Sequence, residues 1–474
     1  MSDLLKDGYL LNGRWMKGNL QPIYSPYSGK EIRSVHLADK ERLQSAIAAA
    51  EQAFSSTRRL PAHERQRVLR AVSEGIEKHS EEFARMMALE AGKPVKAARL
   101  EVERAIFTFA TAAEESVRIT GEFLPMDLQA AAADRWGLVR RFALGPISAI
   151  TPFNFPLNLV AHKVAPAMAT GCSIVLKPAP QTPFCSLMLA ELVRQAGWPA
   201  GGLNVLPLTN EDADALITDD RLKLLTFTGS SRVGWQLKSR SGKKRVVLEL
   251  GGNGAVIVHQ DAQLDLAVER CVVGGFSYAG QSCISVQRIL VHENVYEAFL
   301  EMLVSRVKAL KVGDPLDEAT DVGPMIRESD AERAELWIKE AVRDGAKLLC
   351  GGTRSGSMLA PAVLTATTSA MKVNCEEVFA PVVTVESYQH AEAALNRVND
   401  SPYGLQAGIF TNDAHLIFHA YEQLEVGGLI VNDAPTFRID HMPYGGVKDS
   451  GLGREGIRYA MEAMTERKLL VMRN

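Results

Sequence analysis

The chain has 474 residues, of which 46% are hydrophobic and 23% are charged. This length is too great for one ordinary hydrophobic core, so we expect two or three globular domains. The formal charge of −3 and the pI near 6.4 give no electrostatic reason to expect nucleic acid or an anionic membrane as a partner. No apolar run approaches the roughly 18–20 residues that span a bilayer, and the N-terminal "MSDLLKDGYLLNGRW" lacks the pattern of a secretion signal. We therefore expect a cytoplasmic protein without a membrane partner.

The six cysteines are scattered along the chain without paired spacing. Because there is no CxxC pair and no Cys/His cluster, we expect no metal site. The simplest interpretation is a reduced compartment, in which most of these thiols are small buried hydrophobes.

The first hundred residues are predicted to be helical, because Leu43, Ile47, Ala50 and Phe54 recur at helical spacing. From about residue 145, short β-branched runs alternate with segments long enough for crossover helices. This alternation predicts a parallel, doubly wound α/β sheet. The predicted strands are "ISAIT" (147–151), "SIVLK" (173–177), "LNVLPL" (203–208), "LLTFTG" (224–229), "RVVLEL" (245–250) and "GAVIV" (254–258).

A second α/β unit is predicted further along the chain. The run 288–310 starts the same pattern again, and "GGLIVND" (427–433) is typical of one more strand. Two strand-like segments, 135–143 and 467–474, fit neither unit. A free strand edge invites pairing with another chain, so these segments indicate an oligomer. The alternative is that each caps its own domain.

Three stretches that follow predicted strands could form a binding site, because ligands of open parallel sheets bind beyond the carboxyl ends of the strands. The two prolines of "PFNFP" (152–156) fix the backbone around Asn154. Lys177 ends a strand, and "GSSRVG" (229–234) opens a helix whose N-terminal amides can hold a phosphate. Taken singly, these stretches have plainer interpretations as a turn, a solvated lysine and a helix start.

Cys283 lies in "GGFSYAGQSCISVQR" (274–288), among small and polar residues. A cysteine placed for packing would lie among apolar side chains, as Cys271 does in "ERCVVGGF". The placement of Cys283 therefore indicates a nucleophile.

Seven motifs occur in the order of one known family: "PFNFP", "LKPA", "FTGSSRVG", "LELGG", "GQSC", "EEVFAP" and "PYGGVKDSGLGREG". With them the chain resembles the hydrolytic, NAD(P)-dependent members of the aldehyde dehydrogenase superfamily over nearly its full length. The resemblance implies an α/β fold with a Rossmann-type NAD(P)-binding domain (1–122 and 144–251) and a second α/β catalytic domain (252–455). It also implies oligomerisation strands (123–143 and 456–474), and hence a homodimer or homotetramer.

The resemblance assigns Cys283 as the nucleophile that adds to an aldehyde. The side-chain amide of Asn154 and the backbone N–H of Cys283 would stabilise the resulting alkoxide. Hydride loss to NAD or NADP leaves a thioester, and Glu249 matches the family's general base for its hydrolysis. Lys163 matches a family lysine near the active site, for which a structural ion pair is an equal interpretation.

The resemblance also implies a set of cofactor-binding positions. They are Thr151, Phe153, Lys177, Pro180, Gly229, Ser230, Gly234, Glu377 and Phe379. Many NAD-preferring members have glutamate at the position of Pro180, where its carboxylate repels a 2′-phosphate. Because Pro180 lacks that charge, NADP is not excluded. Phe153 replaces a common tryptophan, and Ala380 stands where glycine is usual.

Four residues on three segments are candidate substrate-binding residues: Arg104, His162, Arg438 and His441. They would suit a small aldehyde that bears a polar or anionic group, as in relatives that act on lactaldehyde, phosphonoacetaldehyde or glyceraldehyde 3-phosphate. The alternative for each is a structural ion pair. Arg288 is assigned to structure, and Ser282 stands where phosphate-binding members often have arginine, which weakens a strongly anionic interpretation.

Two other functions compete with hydrolytic oxidation. A CoA-acylating dehydrogenase would pass the acyl group to CoA, but such relatives typically lack the glutamate at position 249. A catalytically silent binding or structural protein on this scaffold conflicts with the presence of Cys283, Glu249 and Asn154.

Overall fold

The computed structural model describes residues 3–473. Four strands precede the first helix: β1 (Tyr9–Leu11), β2 (Arg14–Met16), β3 (Asn19–Tyr24) and β4 (Glu31–Leu37). The prediction that the first hundred residues are helical is therefore wrong for this part. The missed signal is Asn12-Gly13, because both residues have positive φ (49° and 74°), the backbone of a two-residue hairpin turn.

Four helices follow as predicted: α1 (Lys40–Thr57), α2 (Ala62–Lys78), α3 (Ser80–Ala91) and α4 (Val95–Ser116). The predicted apolar face of α1 is confirmed, since Leu43, Ile47 and Ala50 are buried and Phe54 is half-buried. Asp39 caps α1 by accepting a backbone N–H of its first turn at 2.8 Å.

The first sheet follows an arm of two strands, β5 (Glu122–Pro125) and β6 (Arg135–Ala143). Its elements are β7 (Ile147–Ile150), α5 (Asn158–Thr170), β8 (Ile174–Lys177), α6 (Phe184–Gln195), β9 (Leu203–Val205), α7 (Ala215–Thr218), β10 (Leu224–Thr228), α8 (Ser231–Arg240) and β11 (Arg245–Glu249). The predicted parallel sheet is confirmed for five of its six strands, in the order β9-β8-β7-β10-β11, with β1 and β2 added antiparallel at one edge. The sixth predicted strand, 254–258, lies in the second sheet instead. All of β8 and β10 is buried, because helices cover both faces.

The prediction of a second α/β unit is also confirmed. Its elements are β12 (Gly254–Val258), α9 (Leu264–Phe276), β13 (Val286–His292), α10 (Glu293–Lys308), α11 (Glu328–Arg343), β14 (Lys347–Cys350), β15 (Arg354–Ser355), β16 (Met358–Leu359), β17 (Ala362–Thr365), α12 (Lys372–Cys375), β18 (Val382–Tyr388), α13 (Ala391–Asn399), β19 (Tyr403–Gly404), β20 (Gln406–Phe410), α14 (Ala414–Gln423), β21 (Gly428–Val431) and β22 (Val447–Lys448). The sheet has the order β14-β17-β18-β13-β12-β20-β21, and β14 alone runs antiparallel to its neighbour. Each sheet packs into a hydrophobic core of its own.

The chain then returns to the first sheet and the arm through β23 (Gly451–Leu452), α15 (Ile457–Ala463) and β24 (Thr465–Arg473). β23 pairs with β11, and α15 packs against α5. β24 pairs antiparallel with β6 along its whole length, so the two unassigned strands bind each other within one chain. After Thr465, every residue of β24 is exposed. β24 is an edge strand of the β5-β6-β24 sheet, and its outer side pairs with no other strand of the described chain.

The domain boundaries given above stay a prediction, although 451–463 lies against the first core rather than with the arm. Asn474, the last residue of the predicted terminal strand, lies outside the described residues. Among residues 3–473, no helix is long and apolar enough to cross a bilayer.

Candidate active site

Cys283 follows a turn with an unusual backbone, between α9 and β13. Tyr278, Ala279 and Gly280 all have left-handed φ (51°, 53° and 67°), which costs a residue with a side chain about 1 kcal/mol or more. A Cβ atom at Gly280 would overlap the carbonyl oxygen of Ala380, so only glycine fits there. Strain of this kind persists only where the surroundings impose it.

Hydrogen bonds from other segments impose this turn. The Tyr278 hydroxyl donates to the carbonyl of Ala91 at 2.9 Å. The side-chain oxygen of Gln281 accepts the Ile326 N–H at 2.8 Å, and its amide donates to the Pro324 carbonyl at 3.3 Å. The backbone that leads into the cysteine is therefore held from two sides.

Asn154 follows β7 and is buried beside the cysteine turn. Its side-chain amide donates to the backbone carbonyl of Gln281 at 3.0 Å. Its side-chain oxygen has no hydrogen-bond partner among residues 3–473. The predicted pair of Asn154 and Cys283 is thus brought together, with one polar atom of Asn154 left free.

The Cys283 thiol lies 3.1 Å from the hydroxyl of Tyr444. Burial raises the pKa of the thiol to about 11, and the Tyr444 hydrogen bond lowers it in part. The thiol of the ligand-free protein is therefore neutral near pH 7, and formation of the thiolate depends on the groups placed around it.

Glu249 is the last residue of β11, and its carboxylate is buried without a partner. Neither of its oxygens accepts a hydrogen bond within residues 3–473. Burial, and then the charge of Glu455, raises the pKa of Glu249 well above its ordinary value. A buried carboxylate without compensation is costly, so such a group is typical of a functional site rather than of packing.

These three side chains line one cavity of about 200 Å³, named here the Cys283 cavity. Its lining residues are Pro152, Phe153, Asn154, Leu159, Thr228, Gly229, Ser230, Glu249, Leu250, Gly251, Cys283, Glu377 and Phe379. Five residues predicted to bind the cofactor are thus brought together with the predicted catalytic side chains.

The far wall of the Cys283 cavity holds Glu377 and Phe379. Glu377 accepts the Gly252 N–H at 3.0 Å, and burial raises the pKa of Glu377 to about 7. Phe379 has a left-handed φ of 50°, and its ring meets that of Phe153 edge-on at 6.0 Å. The arrangement suits a flat polar ring and its ribose, which need an apolar face beside a hydrogen-bond acceptor.

The glycine turn after β10 also fits a dinucleotide. Side chains at Gly229 and Gly234 would overlap Phe227 and Leu250, so both glycines let α8 lie close to the sheet. The Thr228 and Ser231 hydroxyl oxygens at this turn are buried and lack partners within the described chain. Free hydroxyls beside the first amides of α8 form a cradle for a pyrophosphate.

Lys177, Thr151 and Pro180 lie outside the lining of the Cys283 cavity. Lys177 ends β8, is buried, and accepts the Thr151 N–H at its carbonyl at 3.2 Å. Burial lowers the pKa of Lys177 to about 8. Pro180 follows at the surface, half-buried. A ligand that reached these residues from the Cys283 cavity would therefore have to be longer than the cavity.

A second cavity of about 330 Å³ lies across the Cys283 segment and is named here the Arg104 cavity. Ser282 and Ile284, on either side of Cys283, line it together with Arg104 and Arg438. Its remaining lining residues are Lys93, Ala97, Leu100, Glu101, Phe155, Arg270, Val273, Gly274, Ser277, Tyr278, Thr436 and Phe437.

Two cations of the Arg104 cavity, Arg104 and Arg438, face Asp440, a residue not identified from the sequence. The other two, Lys93 and Arg270, pair with Glu101 and Asp433. Arg104 donates to both Asp440 oxygens, at 2.6 and 3.1 Å, and His162 contacts the same carboxylate at 2.7 Å. Asn158 donates a further bond at 3.1 Å. Burial opposes ionisation, but His162 and Arg104 hold the pKa of Asp440 below its ordinary value.

Arg438 joins this cluster to the region of the thiol. Its guanidinium donates to Glu455 at 3.1 Å, lies 3.2 Å from a His162 ring nitrogen, and stands 3.7 Å from the Tyr444 ring centroid. Its Nε is buried, makes no hydrogen bond within residues 3–473, and lies 3.9 Å from an Asp440 oxygen. Arg438 therefore faces both Glu455 and Asp440 from the cavity wall.

The other predicted residues lie outside both cavities. Lys163 is fully buried and donates to Glu455 at 2.6 Å. His162 is buried behind the wall, where burial and then Arg438 lower its pKa, so it is neutral near pH 7. His441 is exposed, with its ring edge-on to Phe107 at 6.1 Å.

Arg288 is buried and donates to the backbone carbonyls of Arg397 and Val398 at 2.8 and 3.3 Å, as expected of a structural residue.

No group of three or more His, Cys, Asp or Glu side chains within 3–473 could hold a metal ion.

A glycine turn that fits a dinucleotide, a free carboxylate and a thiol lie together at the carboxyl ends of a parallel sheet. This combination defines a nicotinamide-dependent dehydrogenase. The chain belongs to the aldehyde dehydrogenase family, whose model matches residues 15–470. It is an NAD(P)-dependent aldehyde dehydrogenase with that family's fold.

Relatives and solved structures cover nearly the whole chain. 3-Sulfolactaldehyde dehydrogenase of Priestia aryabhattai is 45% identical over 469 residues, 98% of each chain. Aldehyde dehydrogenase 21 of Physcomitrella patens, solved with its reaction product succinate, superposes with a TM-score of 0.97 at 46% identity over 98% of each chain. Glyceraldehyde-3-phosphate dehydrogenase GapN of Methanocaldococcus jannaschii, solved with NADP, has a TM-score of 0.92 at 40% identity, over 96% of this chain and 99% of its own.

Proposed function

We propose that the enzyme oxidises a small aldehyde with an anionic group to the carboxylic acid, and that water takes the acyl group. The observation that carries this proposal is the Arg104 cavity, whose wall presents the guanidinium groups of Arg104 and Arg438 directly beside the Cys283 segment.

The Cys283 thiolate adds to the carbonyl carbon and forms a tetrahedral alkoxide. The Asn154 amide and the Cys283 backbone N–H donate to that oxygen. One N–H of the Asn154 amide donates to the Gln281 carbonyl, so the other remains available for the alkoxide. Bound NAD or NADP supplies the hydride acceptor, held by Glu377, Phe379 and the glycine turn.

Loss of hydride leaves a thioester on Cys283, and Glu249 removes a proton from the water that attacks it. The free oxygens of Glu249 in the same cavity support this role. Its raised pKa makes the ionised carboxylate a stronger base than an ordinary glutamate. Lys163 acts indirectly, since its ion pair with Glu455 fixes a charge that faces Glu249.

The substrate's anion is held by Arg104 and Arg438. Asp440 binds Arg104 through Nε and one terminal nitrogen, which leaves the other terminal nitrogen without a partner in the described chain. The Nε of Arg438 makes no hydrogen bond in the described chain and lies 3.9 Å from an Asp440 oxygen. An alkyl substrate would leave these donors unpaired and desolvated, which costs affinity. The Priestia relative is named for 3-sulfolactaldehyde, which bears a sulfonate, and the Physcomitrella relative was solved with the dicarboxylate succinate as its product. Both agree with an anionic substrate.

The test is a panel of 3-sulfolactaldehyde, succinate semialdehyde, lactaldehyde, hexanal and benzaldehyde, each with NAD and with NADP. We expect higher kcat/KM for the two anionic compounds. Arg104→Ala should raise their KM about tenfold or more and leave hexanal nearly unchanged, because one charge-assisted hydrogen bond is worth about 1.5–3 kcal/mol. Arg99→Ala, an exposed arginine on the same helix, is the control. The proposal fails if hexanal or benzaldehyde is the best substrate.

We also propose that the enzyme is a cytoplasmic homodimer or homotetramer. The open edge of β24 exposes Leu469, Leu470, Val471 and Met472 to 43–51%, and an apolar strand edge favours pairing with a second copy. All six cysteines are free thiols, in keeping with a reduced compartment. Sedimentation of a species at the monomer mass of 51.7 kDa would contradict the oligomer.

A further inference from the structure

Tyr444 contacts the thiol but takes no part in the chemistry described so far. Its hydroxyl lies 3.1 Å from the Cys283 sulfur. Its backbone exchanges two hydrogen bonds with Glu455, and the Arg438 guanidinium covers its ring. The ring is buried against Ile284 and Leu405. The hydroxyl is thus fixed in position, rather than free to turn toward solvent.

The bond between Tyr444 and Cys283 has a defined direction once a proton leaves. Burial raises the pKa of Tyr444 well above its ordinary value, whereas the thiol stays near 11. The phenol therefore keeps its proton near neutral pH and is placed to donate it to the sulfur. The other charges that face the sulfur are Glu377 and Glu249, which oppose the thiolate, and Arg438, which favours it. Tyr444 is the one group among these that bonds the sulfur directly.

We propose that Tyr444 is a positioning residue for the nucleophile, whose phenolic O–H donates to the Cys283 thiolate and stabilises it for attack. Acylation removes the negative charge from the sulfur and so weakens this bond. Tyr444 therefore acts on the attacking thiolate in acylation, and in hydrolysis it acts only after water has added to the thioester, when the thiolate leaves. This inference rests on the proposed role of Cys283 as nucleophile.

The test is Tyr444→Phe, which keeps the ring and its packing and removes only the hydroxyl. Alkylation of Cys283 by iodoacetamide is followed by mass spectrometry from pH 6 to 10, without cofactor or substrate. Since a hydrogen bond to a charged group is worth one to two pKa units, we expect the alkylation rate at pH 8 to fall about 10–100-fold. The rate should recover as the pH rises.

Tyr388→Phe is the matched control. Tyr388 is buried in the second sheet and pairs with His292, at the far end of β13 from Cys283. Removal of the Tyr388 hydroxyl should leave the pH profile of Cys283 alkylation unchanged. Thermal melting of both variants shows whether the fold is retained.

Single-turnover kinetics give the second readout. In Tyr444→Phe the NAD(P)H burst should slow by a factor similar to that of alkylation, while hydrolysis of the acyl-enzyme slows less, because attack of water precedes loss of the thiolate. An unchanged or faster alkylation overturns the proposal, and so does equal slowing of burst and hydrolysis. If alkylation of Cys283 in the wild-type enzyme leaves dehydrogenase activity intact, the proposed function itself fails instead.

Discussion

The two cavities that meet at Cys283 are built in opposite ways. In the Cys283 cavity, glycines and aromatic rings make the walls, and the carboxylate of Glu249 and the side-chain oxygen of Asn154 have no partner within residues 3–473. In the Arg104 cavity, four cationic side chains stand among apolar ones, and Arg104 and Arg438 are already paired with Asp440 and Glu455. The first cavity therefore keeps polar atoms free for chemistry, whereas the second fixes its charges to hold one end of a substrate.

Cys283→Ser removes the thiol at the segment where the two cavities meet. A hydroxyl is a far weaker nucleophile than a thiolate near neutral pH, so dehydrogenase turnover should fall by several orders of magnitude. Binding of the dinucleotide, measured by calorimetry, should survive because its walls are unchanged. Cys350→Ser on β14 serves as the control. Substantial residual turnover would remove Cys283 from the mechanism.

Glu249→Gln tests the free carboxylate of the Cys283 cavity. Without the general base, a near-stoichiometric burst of NAD(P)H should be followed by a steady rate about 10²–10⁴-fold below wild type. In the wild type, hydrolysis should rise with pH through the raised pKa of Glu249, because the base acts only when ionised. The variant should lack that rise.

Stability separates this outcome from misfolding. Since the pKa of Glu249 is raised in the folded state, the folded protein binds the extra proton, and the wild type loses stability as pH rises above the ordinary glutamate value. Glu249→Gln should therefore melt no lower than wild type at pH 8. Equal loss of burst and steady rate would place Glu249 in the first half-reaction.

Asp440→Asn breaks the paired charges of the Arg104 cavity. Removing one partner of a buried ion pair costs about 3–5 kcal/mol, and we expect the lower end because the Arg104 side chain is 28% exposed. The depressed pKa of Asp440 means that this stability is present near neutral pH and declines as pH falls below the ordinary aspartate value. Urea melts measure the loss, with exposed Asp449→Asn as control. KM for the dinucleotide should not change.

Pro180→Glu gives the smallest effect and tests how far the dinucleotide extends beyond the Cys283 cavity. A carboxylate near a 2′-phosphate should disfavour NADP relative to NAD by about 1–3 kcal/mol. The NADP/NAD ratio of kcat/KM measures this, and Pro180→Ala separates the charge from loss of the proline. An unmoved ratio would mean that residue 180 does not face the cofactor.

The sequence predicts the Cys283 cavity well because each of its motifs lies within a few residues of a strand end. Asn154 follows β7, the glycine turn follows β10, and Glu249 ends β11. The apolar periodicity that locates these strands therefore also places the side chains. Phe379 and its left-handed backbone could be located only through the family motif, since no local signal marks them.

The Arg104 cavity could not be predicted in the same way. Arg104 and Asp440 are 336 positions apart, and His162 and Asp440 are 278 apart. No periodicity or spacing connects residues over such distances. The four cationic candidates were visible in the sequence, but the carboxylate that orders three of them was not. The prediction for the N-terminal hairpin failed for a different reason. The helical periodicity of later residues was extended over its Asn-Gly turn.

Because Arg104, His162 and Arg438 all face one carboxylate, substitutions among them cannot be independent. Changing any one alters the charge balance felt by the other two, so double-mutant cycles within this set should show coupling, whereas distant pairs add. Evolution of a new substrate range at this wall must therefore pass through combined changes that include Asp440. A library that varies the arginines one at a time would recover mainly destabilised enzymes.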